Sequence, residues 1–126
     1  MRILNILWSG YRATLEEQDD TIVWLTHMLK TAGAEVDILL RGATANYIVE
    51  GQAASPLTFG ERTQRHAPDV HGQVRELAAR GVGLYVEQSD IERRGLAASP
   101  LLGDISVLEP EQLPALLSRY DQVWHW

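Results

Sequence analysis

The segment Gly81-Val-Gly-Leu-Tyr-Val-Glu-Gln-Ser-Asp-Ile-Glu-Arg-Arg-Gly95 constrains the fold more than any other part of the chain. Val82 to Val86 is a short apolar run flanked by glycine and by polar residues, the pattern of a strand buried on both faces. Directly after it, Ser89 and Glu92 have the spacing of a capping box, which predicts a helix from near Ser89 to Gly95. A buried strand that runs straight into a helix belongs to a sheet whose strands are joined by helical crossovers. In such sheets the junction is also where ligands and chemistry are usually placed.

The rest of the chain repeats that alternation. Ile3 to Trp8 reads as a first buried strand. Glu16, Glu17, Asp19 and Asp20 then precede Ile22, Leu25 and Leu29, which predicts a helix over roughly Glu16 to Ala32 with its acidic end at the positive pole of the helix dipole. Gly33 is its natural stop. Val36 to Leu40 is a second strand and Ala43 to Glu50 a short helix. Gln52 to His66 lacks apolar period and contains Ser55-Pro56 and Gly60, so it reads as a long loop. Val70, Val74, Leu77 and Ala78 share one helical face that ends at Gly81. Ile105 to Leu108 is a fourth strand. Pro110 suits a first helical position, and Leu113, Leu116, Leu117 and Tyr120 mark the inner stripe of a last helix before a terminal strand over Gln122 to Trp126. Five strands alternating with helices call for right-handed crossovers. The expected architecture is therefore one α/β domain over residues 1–126, a three-layer α/β/α sandwich with a mainly parallel five-stranded sheet. Residues that can line the crevice at the carboxyl ends of the strands are Ser9 to Arg12, Arg41 to Asn46 and Glu87 to Asp90.

A net charge of −6 opposes a nucleic-acid partner, which requires a basic stripe. Arg62, Arg65, Arg75 and Arg80 are interleaved with Glu61, Asp69 and Glu76 and read as a solvated mixed face. No run approaches the ~18 apolar residues of a membrane span. Met1 to Trp8 is too short for a signal peptide and reads as the first strand, so the cytoplasm is the expected compartment. The chain has no cysteine, which removes disulfides and thiolate metal sites. No phosphate loop, nucleophile elbow or metal-binding pair is present, and no cofactor is expected.

The run Leu77-Ala-Ala-Arg-Gly-Val-Gly-Leu-Tyr-Val86, followed by Glu87 and later by Arg94-Gly95, resembles the active-site segment of the DsrE/DsrF-like sulfur-relay family. Ile38-Leu-Leu-Arg-Gly-Ala-Thr-Ala-Asn46, Leu101-Leu-Gly-Asp-Ile105, Leu113-Pro-Ala-Leu-Leu117 and the following Tyr-Asp-Gln-Val-Trp resemble further pieces of that family in the same order, so the likeness extends over nearly the whole chain. It implies a three-layer α/β/α fold and assembly into dimers, trimers or hexamers. It also implies a reactive cysteine, carrying persulfide sulfur, at the position held here by Glu87. A carboxylate gains the same support from a helix N-terminus as a thiolate but does not carry sulfane sulfur. The resemblance thus implies the fold and a pocket, while the residue itself removes the sulfur-transfer reaction.

Three roles for Glu87 are open on the residues alone. As a carboxylate near a helix N-terminus it contributes about 0.3–1 kcal/mol of stability. As part of a small-molecule site it would join Tyr11, Arg12, Arg41, Asn46, Gln88 and Ser89 as a few polar groups converging on an apolar crevice. As a general acid or base it would need a perturbed pKa and a substrate proton within reach. The expectation carried forward is a non-catalytic binding or assembly protein, a homotrimer or hexamer with a small molecule in the crevice. A small enzyme using Glu87 as acid or base is the alternative.

His66 and His71 lie five apart across Pro68, unlike a zinc pair on one helical face. His27 is expected to pack or to face solvent. Trp8 and Trp24 are expected in the core. On the terminal strand His125 alternates with Trp124 and Trp126, so it faces away from both indoles. At least one of those indoles is expected near the surface, in a subunit contact or simply exposed.

Overall fold

The computed structural model describes residues 1–11 and 20–126. Arg12, Glu16, Glu17 and Asp19 lie outside the described residues. The elements in chain order are β1 (Arg2–Leu7), α1 (Thr21–Thr31), β2 (Glu35–Leu40), a 3-10 helix (Gly42–Ile48), β3 (Thr58–Phe59), β4 (Arg62–Thr63), α2 (Val70–Ala79), β5 (Leu84–Glu87), α3 (Gln88–Arg93), β6 (Ile105–Leu108), a 3-10 turn (Pro110–Gln112) leading into α4 (Leu113–Leu117), and β7 (Gln122–His125).

Five strands form one sheet in the order β6-β5-β2-β1-β7, and every neighbouring pair is parallel. Alternate side chains of each strand enter two different cores, as the period of two requires. Ile38, Leu40, Leu84 and Val86 pack with Ile22 and Val23 of α1 and with Val74 and Leu77 of α2. Leu4 and Leu39 pack on the opposite face with Leu116, flanked by Leu113, Leu117 and Tyr120. The result is the expected α/β/α sandwich, with α1 and α2 on one side and α4 on the other.

Most strand and helix positions fall where periodicity places them, and the departures have local causes. α1 is described from Thr21, and the Glu16 to Asp19 part of the expected helix lies outside the described residues. Asp20 is the N-cap of α1: one carboxylate oxygen accepts from the amides of Ile22 and Val23 at 2.9 and 3.2 Å. Of the four acidic residues that suggested the helix start, Asp20 is the cap itself. Residues 42–48 tighten to a 3-10 helix. The expected loop from Gln52 to His66 contains the small antiparallel hairpin β3–β4, turned at Gly60 with φ +59°. Gly33 and Gly81 follow α1 and α2 with positive φ, as helix stops do.

Trp8 and Trp24 are not core residues: they are 44% and 51% exposed. Trp24 follows the buried Val23 onto the outer surface of α1. Trp8 lies just beyond β1 and meets a charged group described below. On β7, His125 meets Trp8 edge-on at 6.2 Å, whereas Trp124 meets Trp126 at 6.4 Å. The indole N–H of Trp126 donates to Oδ1 of the buried Asn5, whose amide donates to Thr26 of α1. His27 is buried between α1 and α2. Arg80 donates to its Nδ1, so Nε2 carries the proton and donates to the carbonyl of Gln73.

Candidate functional site

β1, β2 and β5 end side by side. Leu7 is in register with Leu40, and Leu40 with Val86. The next residues, Trp8, Arg41 and Glu87, therefore stand in one row at the carboxyl edge, on the face opposite α1 and α2. Arg41 is the centre of that row. Its Nη2 lies 2.6 Å from Oε2 of Glu87, and its Nε donates to Oδ2 of Asp90 at 2.7 Å. Its guanidinium carbon lies 5.0 Å from the centroid of the Trp8 ring, a cation–π contact. Gly42 leaves room for that stacking, because a Cβ there would lie 2.9 Å from the indole nitrogen.

The Arg41 backbone is equally fixed. Its N–H donates to the carbonyl of Leu7 and is shared with the hydroxyl oxygen of Thr44 at 3.0 Å. The buried Thr44 hydroxyl contacts the carbonyls of Leu7 and Arg41, which ties the ends of β1 and β2 together.

Glu87 and Asp90 are 4% and 3% exposed, so a single guanidinium is the shared partner of two carboxylates taken out of water. Each ion costs several kcal/mol to desolvate, and such a pair is tolerable only with its partner in place. Glu87 is the residue before α3, but its side chain does not cap that helix. The expected capping box at Ser89 is absent: the Ser89 hydroxyl donates backward to Oε1 of Glu87. The other oxygen, Oε2, has the Arg41 cation beside it without an aligned hydrogen bond. Both oxygens of Glu87 therefore have an occupied neighbour.

Of the residues expected in a ligand site, Arg41, Glu87 and Ser89 come together. Gln88 instead donates to Glu92 on the surface, and the side chain of Asn46 donates to the carbonyl of Ala43. Arg12 lies outside the described residues. Asp90, anticipated only as a crevice residue, is the second partner of Arg41. Trp8, expected in the core, completes the row.

Tyr11 belongs to a second assembly at the same edge of the sheet. Its backbone has φ +56°, a left-handed conformation that costs a non-glycine residue about 1–3 kcal/mol. The conformation is held by its N–H donating to the hydroxyl of the fully buried Tyr47 at 2.5 Å. Tyr47 in turn donates to Oδ2 of Asp20 at 2.7 Å. Burial first, and then the bond to Asp20, pushes the Tyr47 phenol well above its ordinary range. His71, in the first turn of α2, donates from Nδ1 to the Tyr47 carbonyl at 2.9 Å. Tyr11 and His71 then face a cleft of about 350 Å³ whose other walls include Gln52, Ala54, Pro68 and Val70. No sequence spacing signals this group, since residues 11, 20, 47 and 71 meet only through the fold. Among the described residues no cluster of His, Cys, Asp or Glu is arranged to hold a metal.

Parallel strands in the order β6-β5-β2-β1-β7 with helices on both faces give a DsrE/F-like α/β/α fold. Over its full length the chain is similar to the YchN protein of E. coli, with a TM-score of 0.73 and 14% identity, 100% of each chain being covered. No family model matches the sequence, and no curated protein matches it.

Proposed function

We propose that this chain is a non-catalytic DsrE/F-like binding protein that holds a small molecule at the carboxyl edge of its sheet, assembles with copies of itself, and does not transfer sulfur. The observation that carries this reading is the state of Glu87. At the position where the resemblance puts a reactive cysteine, the chain has a buried carboxylate with Arg41 on one oxygen and the Ser89 hydroxyl on the other. A general acid or base must exchange a proton with its substrate; in Glu87 the Ser89 hydroxyl occupies Oε1, and Oε2, without an aligned hydrogen bond, is buried against the Arg41 cation. Exposed Trp24 and Met28, one helical turn apart on α1, supply apolar surface for self-association. No helix among the described residues is long and apolar enough to cross a membrane, in keeping with a cytoplasmic setting.

A thermal-shift screen of uncharged and charged metabolites on the wild type and on Glu87→Gln tests the reading. Ligands are expected to stabilise both proteins, by about 2.7 kcal/mol at one hundred times Kd, and to be recovered unchanged. A ligand consumed by the wild type and spared by Glu87→Gln would instead make the protein an enzyme. Light scattering that gives the 14.1 kDa mass of one chain at micromolar concentration would remove self-association.

A further inference from the structure

The geometry points to the cleft between Tyr11 and His71, rather than the Arg41–Glu87 row, as the place where the small molecule binds, and to an uncharged flat aromatic molecule with N–H donors at its rim as the ligand. This deepens the proposed binding function and rests on it.

The volume of about 350 Å³ lies at the lower end of the range for small-molecule sites. Ala54, Pro68 and Val70 provide apolar wall. The polar groups have their hydrogen-bonding roles set by bonds already made. His71 uses Nδ1–H on the Tyr47 carbonyl, and in that tautomer Nε2 is an acceptor. Gln52 uses its amide N–H groups on the carbonyls of Asn46 and Val49, which leaves Oε1 as an acceptor. Tyr11 contributes a phenol that both donates and accepts. Among the described residues the lining is therefore short of donors and rich in acceptors, the complement of a ligand that brings N–H groups.

An acceptor-rich lining disfavours an anion. Among the described residues that line the cleft none carries a lysine or arginine side chain, and the Arg94 charge acts at the Tyr11 phenol. The Tyr11 ring stands edge-on to Tyr47, with centroids 5.2 Å apart, and is half exposed, so its face remains for an aromatic ligand. The left-handed backbone of Tyr11 belongs to the same arrangement: the Tyr47 hydroxyl that holds it is the far end of the unit whose carbonyl orients His71.

The Arg41–Glu87 row lacks these properties. Its charged groups are paired with one another and its aromatic face is already covered by the guanidinium.

The test compares indole-3-carboxamide, its methyl-ester counterpart and indole-3-carboxylate, which share one ring and its N–H and differ in carrying an amide donor, no amide donor, or a negative charge. Each is titrated to millimolar concentration into isotope-labelled protein. The carboxamide is expected to bind tightest and to shift the amides of Ala54 and Val70. His71→Phe is expected to weaken the carboxamide about three- to tenfold, the effect of one lost hydrogen bond, and to leave the ester unchanged. Ala54→Trp, an exposed loop position where the fold is retained, is expected to abolish both. Carboxylate binding tighter than carboxamide, no shift at Ala54 and Val70, or binding that survives Ala54→Trp would overturn the assignment. Shifts confined to Arg41 and Asp90 would leave the protein a binding protein and move the ligand to the other site. If no compound in the wider thermal screen binds, the binding function itself falls.

Discussion

Tyr120 donates its hydroxyl to Oδ2 of Asp37 at 2.5 Å, while Oδ1 of the same carboxylate accepts from the amide of Gly83 at 2.6 Å. One side chain on β2 thereby ties the loop after α4 to the entry of β5. Arg2 lies 4.9 Å from the Tyr120 ring centroid and 3.9 Å from Asp37 Oδ2, completing the cluster at the amino edge of the sheet. Tyr120→Phe is expected to destabilise the protein by about 1–3 kcal/mol, because the part-buried carboxylate loses a donor and keeps its desolvation cost. Urea unfolding measures the loss, and an unchanged midpoint would show that water replaces the phenol at no cost.

Alkaline pH is expected to weaken the fold through two phenols. Burial and the acceptors Asp37 and Asp20 push Tyr120 and Tyr47 above the ordinary value near 10. In the unfolded chain these groups lose their protons first, so above that value the folded state binds more protons than the unfolded one. Stability is therefore fully present below about pH 10 and falls as pH rises from there toward the folded values. Tyrosinate absorbance should show Tyr47 and Tyr120 titrating late, together with loss of structure. If all four tyrosines ionise near pH 10 with the fold intact, the two hydrogen bonds do not hold the phenols in solution.

Arg41 and Glu87 should differ sharply in what their removal costs. Arg41→Met leaves Glu87 and Asp90 buried without their cation, a loss of about 3–5 kcal/mol. Glu87→Gln leaves the Arg41–Asp90 bond and a group that Ser89 can still reach, so about 1–2 kcal/mol is expected. Urea denaturation of the wild type and the two variants gives the ordering, and equal losses would mean that the Glu87 pair alone accounts for the role of Arg41.

Glu87→Cys should yield a thiol with a pKa below the free value of about 8.5, because the Arg41 guanidinium that faces the carboxylate would face the sulfur. The pH dependence of iodoacetamide labelling on the folded variant reads this directly. A thiol that titrates at or above the free value would mean that Asp90 holds the Arg41 charge away from position 87.

The fold was legible because its signals are local. Short continuous apolar runs mark Ile38 to Leu40 and Leu84 to Val86, and a helical period marks Val70, Val74 and Leu77. The site was legible only in part. Arg41 and Glu87 follow from lying at strand ends, but the choice of Asp90 as second partner is made by the turn of α3 that brings it under Arg41. Ser89 shows the limit of motif reading: its spacing to Glu92 is that of a capping box, yet its hydroxyl donates to the nearer buried carboxylate of Glu87. Trp8 has the composition of a core residue and is drawn out of the core by a cation. The contacts among Asp20, Tyr47 and His71 arise from three separate loops and helices and leave no pattern in the chain.

The two neighbours of β1 in the sheet lie at very different distances along the chain. Arg2 pairs with Glu35 on one side, whereas Asp121, just before the strand on the other side, lies 119 residues away. Closing the longer loop costs about 1 kcal/mol more in chain entropy. A sheet of β1, β2, β5 and β6 is thus expected to form first during refolding, with the β1 backbone unpaired along one side beside the apolar Leu4 and Ile6. Such an edge is a template for pairing with another chain. Docking of β7, secured by the Trp126 bond to Asn5, removes it. The tryptophan-bearing strand thus serves as a seal against aggregation, and refolding yield rather than equilibrium stability is the property most sensitive to it.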